Sequence, residues 1–461
     1  MNNVLLIDFG STYTKVTAVD IHTEKILGTA RAFTTIKTDI NEGLNNALAI
    51  LESKIGRIEY SSKFACSSAA GGLKMVVIGV VPELTVEAAK RTALSAGAKV
   101  VGVYAYELAD NEVNEIANLK PDIILLTGGT DGGNKNIILH NAEVLASIEV
   151  DFPVVVAGNK SVAEKVADIL KSAGKDVRVC QNVMPEFNKL NIEPARKVIR
   201  DVFLERIIRA KGLTKVQMLI EGILMPTPSA VLKAVQTLST GYGNEKGIGE
   251  LIAVDVGGAT TDVYSISEGK PSRSGVIIKG LPEPFAKRTV EGDLGVRYSA
   301  DFIAEAAGMD KVSESSGLTL EEVRNCLDKI RSNPEILPEA DNKIGMLDLG
   351  LSKIAVKEAV KRHTGIIESS YTPMGLTYVQ RGKDLTGIRK VIGTGGPVIN
   401  SLQPGEIMKG ILFDEGEPEV LRPAKADFFI DRKYILSAMG LLSEKYPEIA
   451  IRIMKKELEM I

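Results

Sequence analysis

Apolar residues fall along this chain in short blocks whose spacing changes from one region to the next. Val4 to Asp8 (VLLID) is a compact apolar run closed by an acid and followed by a turn, which predicts a buried strand. Lys15 to Asp20 (KVTAVD) and Lys25 to Phe33 (KILGTARAF) follow at hairpin spacing, so three sequential strands are expected at the N-terminus. From Ser61 to about Asn188 apolar β-branched runs alternate with helical patterns. Strands are expected at Val76–Val81, Val100–Tyr104, Asp122–Thr127, Pro153–Ala157 and Val177–Cys180. Helices are expected over Val86–Ala96, Ile137–Ile148 and Ser161–Ala173. Such alternation argues for a parallel sheet covered by helices. Ala195 to Lys211 reads as a helix with an apolar stripe at Val198, Phe203, Ile207 and Ile208, its many charges forming a solvated face. Ser239 to Glu250 (STGYGNEKGIGE) reads as a flexible loop joining two halves.

After that loop the opening pattern returns. Leu251 to Asp255 (LIAVD) is again an apolar run ending in Asp, and Thr261–Ser267 and Gly275–Lys279 are expected to repeat the two following strands. Setting IDFGSTYTKVTAV from Ile7 against VDVGGATTDVYSI from Val254 pairs Asp8 with Asp255, Gly10 with Gly257, Thr14 with Thr261 and Val16 with Val263. Four identities in thirteen positions are few, but both segments share the order strand, acid, glycine turn, strand. The expected organisation is therefore a duplicated lobe: a first lobe from residues 1–60 and 189–245, an α/β subdomain of residues 61–188 inserted in it, and a second lobe over residues 246–461.

Composition agrees with this reading and narrows it. The chain has 461 residues, 44% hydrophobic and 25% charged, in the range of folded globular proteins and outside that of disordered ones. Fifty-six basic against 59 acidic side chains leave a net charge of −3, which gives no global argument for nucleic-acid binding. Cys66, Cys180 and Cys326 form neither a disulfide framework nor a CxxC site, and a reducing cytoplasmic setting is expected. His22, His140 and His363 make no metal-binding spacing. The apolar run Met75–Pro82 is far short of the ~20 residues that span a bilayer, and the N-terminus lacks a signal-peptide pattern.

The chemistry concentrates in the glycine turns. Each repeat sets an acid at the end of a buried strand and follows it with Gly, Ser and Thr. Glycine allows close backbone approach, and successive N–H groups in such a turn form a concave anion site. Gly10, Ser11, Thr12 and Lys15 in the first turn, and Gly257, Gly258, Thr260 and Thr261 in the second, are candidate phosphate-binding residues. Asp8 and Asp255 suit Mg²⁺ that keeps most of its waters. Alone, each turn is equally a tight hairpin with an Asp cap; the matched pair favours two loops clamping a nucleotide triphosphate. A third motif, VIGTGGPVIN at Val391–Asn400, runs a strand into Gly393, Thr394, Gly395 and Gly396, and Pro397 is expected to open a helix. LLTGGTDGGN at Leu125–Asn134 resembles it but lies in the insertion, where a plain strand-to-helix turn is as good a reading. No segment matches GxGxxG or GxxxxGK[ST], so Rossmann and P-loop readings lack their motif.

Taken together, DFGSTYTK, DVGGATTDV and VIGTGGPVIN resemble the two phosphate motifs and the adenosine motif of the actin, sugar-kinase and heat-shock-chaperone ATPase superfamily. GDLGVRYSAD at Gly292–Asp301, with Gly295, falls where that superfamily has a further glycine turn. Ser437–Leu442 and Ser229–Thr237 are placed by the resemblance as hinge helices. Within the superfamily, FACSSAAGGLKMVVIGVVPELT, LLTGGTDGGN and KRTVEGDLGVR resemble the glutamate mutase L (MutL) family, associated with adenosylcobalamin-dependent glutamate mutase and unrelated to the mismatch-repair protein of the same name. The resemblance implies duplicated actin-like (RNase H-like) ATPase lobes binding ATP or ADP with Mg²⁺, and a partner among adenosylcobalamin-dependent mutase subunits. It implies an ATP-driven lobe movement that releases damaged cofactor, with Asp8 and Asp255 as the catalytic and metal-holding acids. The insertion is a candidate partner surface or, equally, bulk that stiffens the first lobe. Neither nucleic acid nor membrane is an expected partner. Three alternatives stand beside it. A small-molecule kinase needs a base for its acceptor hydroxyl, and none can be located. An actin-like scaffold would be obstructed by the long insertion. An activator of radical dehydratases needs cluster-bridging cysteines, and Cys66, Cys180 and Cys326 sit at no suitable spacing.

Overall fold

The computed structural model of the protein describes residues 2–10, 12–35, 40–68, 73–210, 223–336, 338, 342–372 and 375–461. The chain divides into two compact units. The first comprises Met1–Ala234, Gly280–Pro282 and Ser437–Ile453; the second comprises Val235–Lys279, Glu283–Leu436 and Met454–Ile461.

In the first unit, β1 (Asn3–Phe9), β2 (Tyr13–Asp20) and β3 (Lys25–Phe33) form the expected antiparallel meander. β4 (Ser62–Ser67) then lies parallel to β1 on its other side. Parallel to β4 lies β10 (Ile223–Pro226), giving the order β10-β4-β1-β2-β3. No strand was expected over residues 62–67, which fell inside the expected insertion of residues 61–188; the register of β4 with β1 makes it a lobe strand, and the inserted sheet starts at Leu73.

The insertion is a five-stranded parallel sheet of β5 (Leu73–Gly79), β6 (Ala98–Ala105), β7 (Ile123–Leu126), β8 (Val154–Val156) and β9 (Val177–Val179), in the order β6-β5-β7-β8-β9. Its central strands β5, β7 and β8 are buried on both faces, which is why they read as continuous apolar runs. Alternate residues go to opposite sides. Met75, Val77, Ile123, Leu125 and Val155 enter the core shared with β1, whereas Val76, Ile78, Ile124, Leu126, Val154 and Val156 pack with helices Asp110–Leu119, Asn136–Ala146 and Ala163–Ser172. The first of these helices was not anticipated from the sequence pattern. Helices Glu87–Ser95 and Ile192–Ala210 serve the shared core.

The helix Thr227–Thr240, of which Val235 onward belongs to the second unit, gives way to a tight hairpin, β11 (Gly241–Tyr242) with β12 (Glu245–Lys246), where a flexible loop was expected. The sheet that follows repeats the first. β13 (Leu251–Val256) and β14 (Thr261–Ile266) form the hairpin. The strand next to β14, however, is not Gly275–Lys279. Val276–Ile278 forms β15 in a separate sheet, and the position is filled by β16 (Ala286–Glu291). β16 carries Lys287, Arg288 and Glu291, so no apolar pattern announces it; Arg288 is buried by its ion pair with Asp262. β15 joins β17 (Ile366–Thr372) and β18 (Gly375–Arg381) in the order β15-β18-β17. β19 (Lys390–Thr394) lies parallel to β13, β20 (Asp427–Ile430) parallel to β19, and β21 (Glu459–Met460) closes the edge. The order β16-β14-β13-β19-β20 matches the first lobe strand for strand: an antiparallel meander followed by two parallel additions.

Candidate functional site

In the first turn, Gly10 N–H donates to Tyr13 O at 3.1 Å, closing the hairpin. A Cβ on Gly10 would stand 2.5 Å from that oxygen, so only glycine fits. Thr34 clamps the turn from β3's end: its N–H donates to Thr12 O at 2.8 Å and its hydroxyl to Gly10 O at 2.9 Å. Asp8, 4% exposed, is opposite Lys15 in the ladder, with Lys15 Nζ 3.7 Å from Oδ2. The Thr227 hydroxyl donates to Asp8 Oδ1 at 2.6 Å and the Ser437 hydroxyl to Oδ2 at 3.0 Å. Thr227 opens the helix Thr227–Thr240, and Ser437 lies in the first turn of the helix Leu436–Leu442. Those helices meet backbone to backbone where Gly440 faces Ala230; a Cβ on Gly440 would stand 1.8 Å from Ala230 O. Beside Asp8, burial pushes the Cys66 thiol well up, and the carboxylate adds to the effect. Ser11 lies outside the described residues.

The second turn repeats the bond that closes the first. Gly257 N–H donates to Thr260 O at 2.9 Å, and Asp255 pairs across the ladder with Asp262 as Asp8 does with Lys15. Its surroundings differ. The Thr260 hydroxyl donates to Asp262 Oδ2 at 3.1 Å, and the buried Thr261 hydroxyl donates to Leu294 O at 2.6 Å. Asp262 also takes Arg288 Nε at 2.8 Å. The segment containing Gly295 braces this turn. Arg297 and Tyr298 N–H both donate to Gly258 O, and a Cβ on Gly295 would stand 2.2 Å from the Ala259 carbonyl carbon. Arg297 is in turn held in a two-point ion pair by Asp348.

The third glycine motif meets the second turn within the same sheet. Gly393 and Thr394 sit opposite Val254 and Asp255 in the β13–β19 ladder. Gly395 has φ +94°, and a Cβ there would stand 2.2 Å from Val256 O and 2.7 Å from Asp255 Oδ1. Gly396, by contrast, faces open space. It begins a four-residue helix, Gly396–Ile399, so Pro397 is that helix's second residue rather than its first. Thr394 is buried, and its hydroxyl donates to Asp431 Oδ2 at 3.2 Å; Asp431 also accepts Ile435 N–H and Leu436 N–H.

The sequence pattern points to the acids and glycines as candidates and to Ser437 only as part of a hinge helix; it does not point to Thr227, Arg288, Asp348 or Asp431. Only Thr227 carried a local signal, a Thr-Pro pair between an apolar strand and a helix. The insertion's glycine loop, Thr127–Gly133, is satisfied from within. Buried Asn159 accepts Gly132 N–H and Ser161 N–H and donates to Gly133 O and Asn134 O, while Asn182 donates to Gly129 O and Asp131.

Among the described residues no group of three or more His, Cys, Asp or Glu is arranged around a common metal position. Asp8 would suit hydrated Mg²⁺, which needs only one or two carboxylates: Oδ1 accepts the Thr227 hydroxyl, Oδ2 the Ser437 hydroxyl with Lys15 Nζ 3.7 Å away, and an ionised carboxylate offers about four lone-pair sites. Among the described residues no helix is long and apolar enough to cross a membrane.

Two sheets of the same strand order, each with a glycine turn following an acid-tipped first strand, define duplicated actin-like (RNase H-like) lobes with an α/β subdomain inserted in the first. The chain belongs to the MutL, or glutamate mutase L, family: a family model described as "MutL protein" matches residues 4–458. It is 52% identical over 460 residues to "Protein MutL" of Clostridium tetanomorphum, covering 99% of both chains. Structural likenesses are remote. Gluconate kinase from Lactobacillus acidophilus aligns at 10% identity and a TM-score of 0.37, over 100% of this chain and 92% of that one. The ethanolamine utilization protein EutJ from Carboxydothermus hydrogenoformans aligns at 11% identity and 0.26, over 97% and 89%.

Proposed function

We propose that this protein is an ATP-dependent reactivating chaperone for an adenosylcobalamin-dependent mutase of the glutamate mutase type, working in the cytoplasm. Family membership over nearly the whole chain carries the choice of partner. The repeated acid-tipped turn supports nucleotide as the ligand.

The chain's own groups suggest the division of labour. With Thr260 and Thr261 hydroxyls already donating to Asp262 and Leu294, the second turn would recognise phosphate through its backbone N–H groups. The open face of Gly396 suits a ring lying flat on the backbone. Asp8, and Asp255 in the second turn, would hold hydrated Mg²⁺, which when bound supplies charge neutralisation at the phosphates. The alternative role of Asp255 is to orient the attacking water. Asp8 joins the nucleotide to the rest of the fold, because both its oxygens are bonded to the beginnings of the two helices at Thr227 and Ser437. A change of load on that carboxylate therefore reaches both helices. Nucleotide shifts a conformational equilibrium only to the extent that it binds the two states unequally, so ATP and ADP must differ in how they load Asp8.

Pull-down with glutamate mutase subunits, with and without ATP, tests the reading. Retention that changes with ATP is expected. Failure to retain any cobalamin enzyme in either condition removes the reactivating role.

A further inference from the structure

Three charged side chains line up across the sheet at the first glycine turn. Asp8 is opposite Lys15 in the β1–β2 ladder, and Lys15 is opposite Arg31 in the β2–β3 ladder. Residues directly opposite one another point to the same face of a sheet, so all three project from one side. The 3.7 Å approach of Lys15 Nζ to Asp8 Oδ2 marks that side. It is also the side on which Thr227 and Ser437 bond to Asp8. The next row along, Ile7, Val16 and Ala30, enters the core on the other side.

Arg31 is exposed, yet aromatic rings set its place. Its Cζ lies 5.2 Å from the centre of the Tyr13 ring, and that ring stacks on half-exposed Phe33 with centres 4.7 Å apart. Tyr13 and Phe33 are opposite one another, two residues nearer the turn than Lys15 and Arg31 and on the same face. The Tyr13 carbonyl closes the turn by accepting Gly10 N–H, and Thr34, next to Phe33, clamps the turn from the end of β3. The guanidinium is therefore drawn along the strands toward the glycine turn.

Charge gives this strip its ligand. Like charges directly opposite one another in a ladder are destabilising. Asp8 answers Lys15, and among the described residues no carboxylate forms an ion pair with Arg31. One acid against two cations leaves a net positive strip beside the turn, which suits an anion. We propose that Arg31 binds the terminal phosphate of ATP and that the Tyr13–Phe33 ring pair positions it. This rests on the nucleotide reading of the glycine turns. In phosphoryl-transfer sites the metal bridges β- and γ-phosphate oxygens, so a nucleotide whose metal is held at Asp8 brings those two phosphates to this end of the sheet. Lys15, beside Asp8, answers the charge nearer the acid. Arg31, one strand further out, answers the phosphate that ADP lacks. Arginine suits the task because its planar fork gives a phosphate two parallel N–H bonds while its flat face stacks on the ring. ATP and ADP then load the Asp8 strip unequally, as any nucleotide-driven change of conformation requires.

Calorimetric titration of the full-length protein with Mg-ATP and with Mg-ADP tests this on the wild type, Arg31→Gln and Tyr13→Leu. Arg31→Gln is expected to weaken ATP about tenfold, the worth of one hydrogen bond between charged groups, and to leave ADP affinity within about twofold. Because Arg31 is exposed, the melting temperature of that variant should stay that of the wild type. Tyr13→Leu keeps the carbonyl that closes the turn but removes the ring under the guanidinium, and should weaken ATP several-fold while again sparing ADP. Equal losses of ATP and ADP in either variant, or an Arg31→Gln variant that binds ATP like the wild type, overturn the proposal and leave the nucleotide reading standing. A wild type that binds neither nucleotide overturns both.

Discussion

The Thr227 hydroxyl donates a 2.6 Å hydrogen bond to Asp8 Oδ1, joining the end of the first strand to the start of a helix 219 residues later in the chain. A hydrogen bond to a charged group is worth about 1.5–3 kcal/mol, and the burial of Asp8 keeps water from replacing it. Thr227→Val should therefore lower stability by about 2 kcal/mol and weaken Mg-ATP by about tenfold, whereas Thr227→Ser should restore both. Calorimetric titration and thermal unfolding check this; a Val variant with unchanged nucleotide affinity separates Asp8 from the site.

Asp8→Ala and Asp255→Ala are each expected to abolish Mg-ATP hydrolysis while the circular dichroism spectrum stays that of the wild type. Asp255 is half-buried at a strand end, so its removal leaves no cavity in the core. Full hydrolysis in both variants contradicts their assignment.

Neighbouring glycines in the third motif should respond oppositely to alanine. At Gly395, φ is +94° and a Cβ would press into Val256 O, so Gly395→Ala should cost about 1–3 kcal/mol. At Gly396 nothing stands within 4 Å, so Gly396→Ala should unfold like the wild type but bind nucleotide more weakly. Denaturant unfolding paired with nucleotide titration separates the two; equal stability loss in both is the contrary result.

His363 gives the second lobe a pH dependence. It is buried, bonded to Ser265 and Thr289, and burial, with Lys287 and Lys383 nearby, holds its pKa well below the ordinary 6.5. The folded state keeps the ring neutral, while the unfolded chain takes a proton as pH falls below about 6.5. The unfolded state then binds more protons, so stability is lost on acidification at up to about 1.4 kcal/mol per pH unit. His363→Gln should flatten the unfolding free energy between pH 6.5 and 5. A slope unchanged by the substitution assigns the effect to other groups.

The insertion's glycine loop should behave as a structural turn. Asn159→Ala removes four hydrogen bonds from a fully buried site and should lower stability by about 2–4 kcal/mol. Hydrogen exchange of Gly132 and Ser161 amides should accelerate in step, and unaltered protection there would show the loop is held by something else.

Periodicity in the sequence settled the repeated strand-turn-strand unit, the parallel insertion and the acids at the strand ends, because each depends on neighbours within a few residues. β1 and β13 are apolar runs needing no distant partner to be read, and Gly10 and Gly257 are required by oxygens three residues away. Pairing over long separations was beyond that reach. β16 is rich in charge and looks unlike a strand until Arg288 meets Asp262. β15 is apolar and looks like a core strand, yet Ile277 is 55% exposed on a separate sheet. The hydroxyl partners of Asp8 lie hundreds of residues from it, and the far end of the chain, Ser437–Ile453, joins the first unit. Local hydrophobic spacing chooses strand, helix or turn; which buried polar group finds which partner is decided only when the chain folds back on itself, since an unpaired charge or amide is too costly to bury alone.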